Sequence, residues 1–289
     1  MADDHKKEID QLSGTETTGH EWDGIQELNN PMPRWWLWTF FVCILVAICY
    51  WILFPAWPIP GGNTKGMLGW TKYNRLAEQL ADAQGKQEVF FKQIAEWPIE
   101  KIPGDPKLYA FAVAAGQAAF KSNCVMCHGL DASGQGRYPN LNDDDWLWGE
   151  GTLADIQQTI THGIRTDDPK TRFSEMPAFG KQGVLKPEQI SKTADFVISL
   201  AKKPDWNSEA GKIFKDQCVS CHGMEGKGDR KVGVPNLADA IWLYGGDKES
   251  IVYTITNARN NVMPNWNARL DPNTIKALAV YVHSLGGGK

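Results

Sequence analysis

Cysteine is scarce in this chain, and the scarcity excludes much. Its 289 residues include six cysteines. Four are committed to two short motifs, and the other two, Cys43 and Cys49, lie inside an apolar run, where a thiol acts as a small packing residue. None remains for a structural disulfide. A basic excess is also missing: the formal net charge is −4, so nothing points to a nucleic-acid partner. No charge occurs anywhere in residues 35–54. That run starts too late and is too long for a cleaved leader, and no small-x-small cleavage site follows it.

What is present centres on one pentapeptide and its echo. Cys124-Val125-Met126-Cys127-His128 returns as Cys218-Val219-Ser220-Cys221-His222. C-x-x-C-H is the attachment signature of c-type haem: two thiols add to the two vinyl groups of one porphyrin, and the adjoining His ligates the iron. A zinc half-site needs two further Cys or His at ordered spacing. A thioredoxin-like redox pair needs a βαβ context, and nothing around these cysteines reads as one.

The surroundings repeat with the motif, at an offset of 94 to 96 residues. Phe120 and Phe214 sit four residues before the first Cys, and Gly129 and Gly223 follow the His. Pro139-Asn140-Leu141 returns as Pro235-Asn236-Leu237, Trp146 as Trp242, and Thr159-Ile160-Thr161 as Thr254-Ile255-Thr256. Each copy closes with an amphipathic helix opened by proline, Pro187 to Leu200 and Pro272 to Leu285. Such tandem similarity implies two copies of one domain, with Lys202-Lys203-Pro204-Asp205 as the joint. At 80–90 residues each, a protein-only core is marginal, and haem would supply the missing apolar volume. Phe120, Phe214, Leu141, Leu237, Trp146 and Trp242 are candidate cavity walls. The two Trp could also donate to a propionate. Arg137, Arg165 and Arg172 are weaker propionate candidates, because none has a clear repeat partner.

A second axial ligand is needed unless the site is open for catalysis. Of seven Met, only Met176 and Met263 occupy matching positions, each followed by proline, 48 and 41 residues after its His. Proline stiffens such a loop and holds it extended. The rival ligands His162 and His283 have no repeat partner. A soft thioether favours Fe(II) and a high potential. Local pairing, Met176 with His128 and Met263 with His222, is the default expectation, and an exchange of the two Met loops is the alternative.

Residues 1–33 carry two Lys and eight Asp or Glu, and their composition suggests poor order. Twenty helical residues from 35 to 54 would span ~30 Å, a bilayer's hydrocarbon thickness. Trp35, Trp36 and Trp38 gather at one boundary and Trp51 and Trp57 at the other, as an aromatic belt would. The Lys/Arg bias across the run is weak. Orientation follows instead from the haem motifs, since covalent attachment in bacteria is periplasmic. Residues 56–108 read as a spacer, helical around 73–80 and 89–94, without chemistry of its own.

One family gathers these features. The chain resembles the dihaem cytochrome c subunit, subunit III, of the cbb3-type cytochrome c oxidase. The resemblance rests on the stretch Thr17 to Ile25, on Leu28 to Trp36, and on Pro55-Ala56-Trp57-Pro58. It continues through Pro139 to Gly149 and Ser174-Glu175-Met176-Pro177-Ala178-Phe179-Gly180. It implies an all-α protein: a cytoplasmic acidic tail (1–33), a single transmembrane signal-anchor helix (34–55), a periplasmic helical spacer (56–108), and two tandem class I cytochrome c domains (109–203 and 204–289). It implies two covalent haem c groups, on Cys124 and Cys127 and on Cys218 and Cys221, with His128, Met176, His222 and Met263 as axial ligands. It also implies a place in the bacterial inner membrane and, as partners, a cytochrome c donor, a monohaem c subunit, a haem–copper catalytic subunit and the lipid bilayer. Oxygen reduction and proton translocation would belong to the complex, with no catalytic site in this chain. A stand-alone membrane-anchored dihaem carrier is the alternative; a dihaem peroxidase fits less well, because two equivalent Met-Pro motifs leave no open iron.

Overall fold

The computed structural model describes residues 7–134 and 136–289. The first six residues of the acidic tail, Lys6 among them, lie outside the described residues. The chain forms two compact units, residues 1–85 and 86–289.

The first unit corrects the expectation of a poorly ordered tail. Strands β1 (Thr17–Trp22) and β2 (Ile25–Leu28) pair antiparallel, with Trp22 opposite Ile25. Asp23 and Gly24 make the turn, with φ of 49° and 84°. Positive φ at both central residues matches the twist of a hairpin, and Asp-Gly is a favoured pair for it. Polar composition hid that local signal. Helix α1 (Arg34–Leu53) has no buried residue and is long and apolar enough to cross a membrane. A small antiparallel pair follows, β3 (Pro58–Ile59) with β4 (Gly62–Asn63). Helix α2 (Lys72–Glu96) joins the two expected helical stretches into one, because no proline interrupts them.

In the second unit the spacer becomes part of a core. The last turns of α2 and a 3-10 helix (Ile99–Gly104) bury Ile94, Ile99 and Ile102 beside the first repeat. Phe90 stacks on Phe111 with ring centroids 4.7 Å apart. Helix α3 (Pro106–Asn123) starts on Asp105, whose side chain accepts from the N–H groups of Lys107 and Leu108. That caps donors the first turn cannot use, and Pro at the first position lacks one anyway. The remaining helices are α4 (Val125–His128), α5 (Leu153–His162), α6 (Pro187–Ser199), α7 (Glu209–Gln217), α8 (Val219–His222), α9 (Lys248–Asn257) and α10 (Pro272–Ser284).

Each repeat has sent its closing helix to the other. Helix α10 packs on α3 and α5 of the first repeat, and α6 packs on α7 and α9 of the second. One core therefore joins Phe120, Ile156 and Ile160 to Ile275, Leu278 and Val282. The other joins Phe214, Ile251 and Ile255 to Ile190, Ala194 and Val197. We call these halves A and B. Residues 202–205 thus connect α6 to α7 inside half B. The two crossings differ in closeness. A Cβ on Gly116 of α3 would run into the Ala277 carbonyl oxygen of α10, while the equivalent residue of α7 is Ala210.

Candidate functional site: two cysteine-lined cavities

The motif histidines are set by their own loops. Cys124 ends α3, and α4 follows as a single turn, with the N–H groups of Cys127 and His128 donating to the Cys124 carbonyl. The second copy repeats this around Cys218. Gly129 (φ 83°) and Gly223 (φ 75°) then turn the chain out through a conformation that a side chain disfavours. The chain returns so that His128 Nδ1 lies 3.2 Å from the Pro139 carbonyl oxygen and His222 Nδ1 3.2 Å from that of Pro235. A carbonyl only accepts, so Nδ1 carries the proton and Nε2 keeps its lone pair for a metal. Burial pushes both imidazoles below the usual His range, and the proline carbonyls offset this only partly. The rings are held neutral, the form that ligates. Burial, with Cys127 alongside, pushes the free Cys124 thiol up to about 11; burial and Cys221 do the same to Cys218.

Each histidine opens on an apolar cavity. Cavity A, about 190 Å³, is lined by Cys124, Cys127, His128, Phe120, Leu141 and Trp146. Cavity B, about 240 Å³, is lined by Cys218, Cys221, His222, Phe214, Leu237 and Trp242. All six candidate wall residues therefore line the cavity of their own motif. The methionines do not follow the default. Met263 lines cavity A and Met176 lines cavity B. The exchange follows from the swapped helices, since each Met loop leads into a helix that belongs to the other half. Backbone pairing secures it: Ile164 N–H donates to Met263 O at 2.9 Å and Met263 N–H to Ile164 O at 3.1 Å. Met176 is held differently: the Asn260 side chain accepts from Met176 N–H and donates to Met176 O, both at 3.3 Å.

The rival ligands are engaged elsewhere. His162 Nδ1 lies 2.9 Å from Asp168 Oδ1, and His283 Nε2 3.1 Å from the Lys289 carbonyl; neither lines a cavity. Met126 is 91% exposed and Met224 is exposed. Trp146 uses its indole N–H on the Gly287 carbonyl, so it packs rather than serving a propionate. Arg137 and Arg165 line cavities, whereas Arg172 pairs with Asp155 at 3.1 Å and lines neither.

Several lining residues were not expected to meet these cavities. Thr193 and Val197 of α6 wall cavity B, and Leu278 and Val282 of α10 wall cavity A. Only the swap brings them there. Trp148 and Arg259 line cavities A and B, respectively, and each has a buried nitrogen without a partner, Trp148 Nε1 and Arg259 Nε. A buried unpaired donor is costly and calls for an acceptor. Haem fits this setting: two thiols, a neutral imidazole, a methionine in the same cavity, apolar walls, and orphan donors suited to propionate carboxylates. Among the described residues, no group of three or more His, Cys, Asp or Glu converges as a metal-holding cluster.

Such a pair of sites on a helical scaffold defines a cytochrome of the c type. The comparisons narrow the class. The model for the N-terminal domain of cytochrome oxidase-cbb3, FixP, matches residues 14–60, and that for cytochrome c oxidase, cbb3-type, subunit III, matches 111–197 and 207–282. The FixP subunit of the cbb3-type oxidase of Azorhizobium caulinodans is 51% identical, covering 99% of this chain and 98% of the relative. That of Rhizobium meliloti is 50% identical, with 100% of both chains covered. The CcoP subunit of Cereibacter sphaeroides is 49% identical, over 94% of this chain and 95% of its own. The chain belongs to the FixP/CcoP family of cbb3-type cytochrome c oxidase subunits.

Proposed function

We propose that this chain carries two haem c groups with exchanged methionines: Cys124, Cys127, His128 and Met263 in half A, and Cys218, Cys221, His222 and Met176 in half B. The chain is an electron-transfer subunit of a cbb3-type oxidase. Electrons come from a cytochrome c donor and leave toward the monohaem c and haem–copper subunits. Helix α1 anchors it in the bacterial inner membrane, with the tail cytoplasmic and residues 56 onward periplasmic. The observation that carries the reading is the pairing, in each cavity, of a carbonyl-tethered neutral imidazole with a thioether.

Bound haem supplies a one-electron Fe(III)/Fe(II) couple by outer-sphere transfer. This chain's residues do the rest. The Pro139 and Pro235 carbonyls orient the imidazoles, Ile164 and Asn260 hold the Met loops, and the apolar walls exclude water. His128 with Met263, and His222 with Met176, would hold the iron of a bound haem, which would then supply electron transfer.

The test is purification in mild detergent, followed by oxygen uptake with a reduced c-type cytochrome as donor. The affinity tag belongs at the N-terminus, because Lys289 and Gly287 bond to Glu150 and Trp146. A haem–copper partner that co-purifies and consumes oxygen supports the reading. A red, reducible chain that stays alone in every gentle detergent overturns its oxidase part.

A further inference from the structure

Four residues line both cavities: Leu147, Leu243, Tyr244 and Arg165. They form the wall shared by the two sites, and Arg165 is its one formal charge. Its backbone is held at a positive φ of 56°, which a long side chain rarely adopts. That conformation persists only where surrounding contacts impose it. The contacts are two. Arg165 Nε donates to Ser174 O at 2.6 Å, two residues before Met176. Its Nη1 donates to Asn261 O at 2.8 Å, two residues before Met263. One guanidinium thus ties both Met loops together. Its third nitrogen, Nη2, has no hydrogen-bond or ion-pair partner among the described residues.

The surroundings reinforce the charge. Tyr244 feels Arg165, Arg259 and Arg137 together, and Arg259 stacks over its ring at 4.9 Å. Glu175 is the acidic neighbour of Arg165 and lines cavity B only. In the second repeat, the residue equivalent to Arg165 is Asn260, which lines cavity B alone. The repeat symmetry is therefore broken at the point where one cation can serve two sites.

We propose that Arg165 is a positioning residue common to both redox centres, raising both haem potentials by its charge and holding both methionines by its fork. This rests on the two-haem reading above. A cation beside a haem disfavours the more positive ferric state, and partial burial strengthens the effect. The two functions separate by substitution. Arg165→Gln removes the charge, while Arg165→Lys keeps it but cannot bond both loops. Arg259→Gln, at a residue of cavity B only, is the one-site control.

The experiment is spectroelectrochemical titration of the purified membrane-bound chain, after haem content and spin state are measured for each variant. In Arg165→Gln both potentials should fall, each reduction equilibrium by about tenfold, which is about 59 mV. Arg165→Lys should weaken the Fe–S(Met) charge-transfer band of both haems and lower both potentials by less than Arg165→Gln does. Arg259→Gln should lower one potential. If Arg165→Gln retains two low-spin haems and shifts one potential or none, the inference is overturned while the two-haem reading stands. If the unsubstituted chain carries fewer than two haems, the reading beneath it fails instead. Should the Gln variant not fold, the Lys variant decides: loss of the Met band at one haem only overturns the proposal.

Discussion

Halves A and B carry the same motif, loop and wall residues, yet they are not equally supported. Half A is built on an 18-residue helix, braced by the 3-10 helix and the end of α2, and its rim is closed by Gly287–Lys289. Half B stands on the 9-residue α7 with no such bracing. Accordingly the second motif cysteine is half-buried in A, as Cys127, and exposed in B, as Cys221. The repeat supplies the chemistry twice; the flanking segments decide how much water each copy meets. Solvent exposure is one of the levers on a haem's potential, so haems held on the two copies of the motif would not need identical potentials.

The comparison breaks most severely if the halves are separated. A fragment of residues 86–203 keeps Cys124, Cys127 and His128 but loses α10 and Met263. Burial of Ile275, Leu278, Val280 and Val282 stabilises by ~1.5–3 kcal/mol each, comparable together to a domain's whole stability of about 5–15 kcal/mol. It should show no cooperative melt and a high-spin haem, with low-spin character restored by co-expressing residues 204–289. A fragment that melts cooperatively by itself with a Met-ligated haem would contradict the exchange.

A sharper cut addresses the ligands alone. In a chain with Cys218 and Cys221 replaced by Ala, only the haem of half A remains. There Met263→Ala should convert that haem to high spin, and Met176→Ala should leave it low spin. Optical and EPR spectra of the two triple variants decide between crossed and local pairing, whichever way they fall.

Packing offers a smaller effect. Gly116→Ala drives a Cβ into the backbone of α10 and should cost ~1–3 kcal/mol, lowering the melting temperature of the second unit by several degrees. The reverse change at the equivalent position, Ala210→Gly, should cost only ~0.5–1 kcal/mol, through helix entropy. Equal losses would mean that the two crossings are equally close. A change outside both cavities is Lys276→Met. The Lys276 ammonium donates to the carbonyls of Ile94, Ala95 and Trp97 at 2.8–3.2 Å, closing the end of α2. Its loss should cost about 1–2 kcal/mol in chemical denaturation, with no change in either haem's spectrum.

The sequence alone determined the chemistry. C-x-x-C-H places thiols and imidazole on one helical turn, a local matter that spacing settles, whereas the proline carbonyls that orient the histidines were visible only as part of a repeat. The uncharged run and its tryptophans marked α1, and the proline-opened patterns marked α6 and α10 with nearly their observed ends. The Asp-Gly hairpin was also written in local residues, and composition masked it. Only the tertiary structure decided which methionine faces which histidine. Two homologous halves present nearly equivalent faces, so α6 and α10 could pack on either half by pattern alone. The choice is made by close fit, such as the contact of Gly116 with Ala277 and the pairing of Ile164 with Met263, between residues about 100 or more positions apart. The same long-range closure sets Arg165 in the wall between the cavities, a position that no periodicity or motif announces.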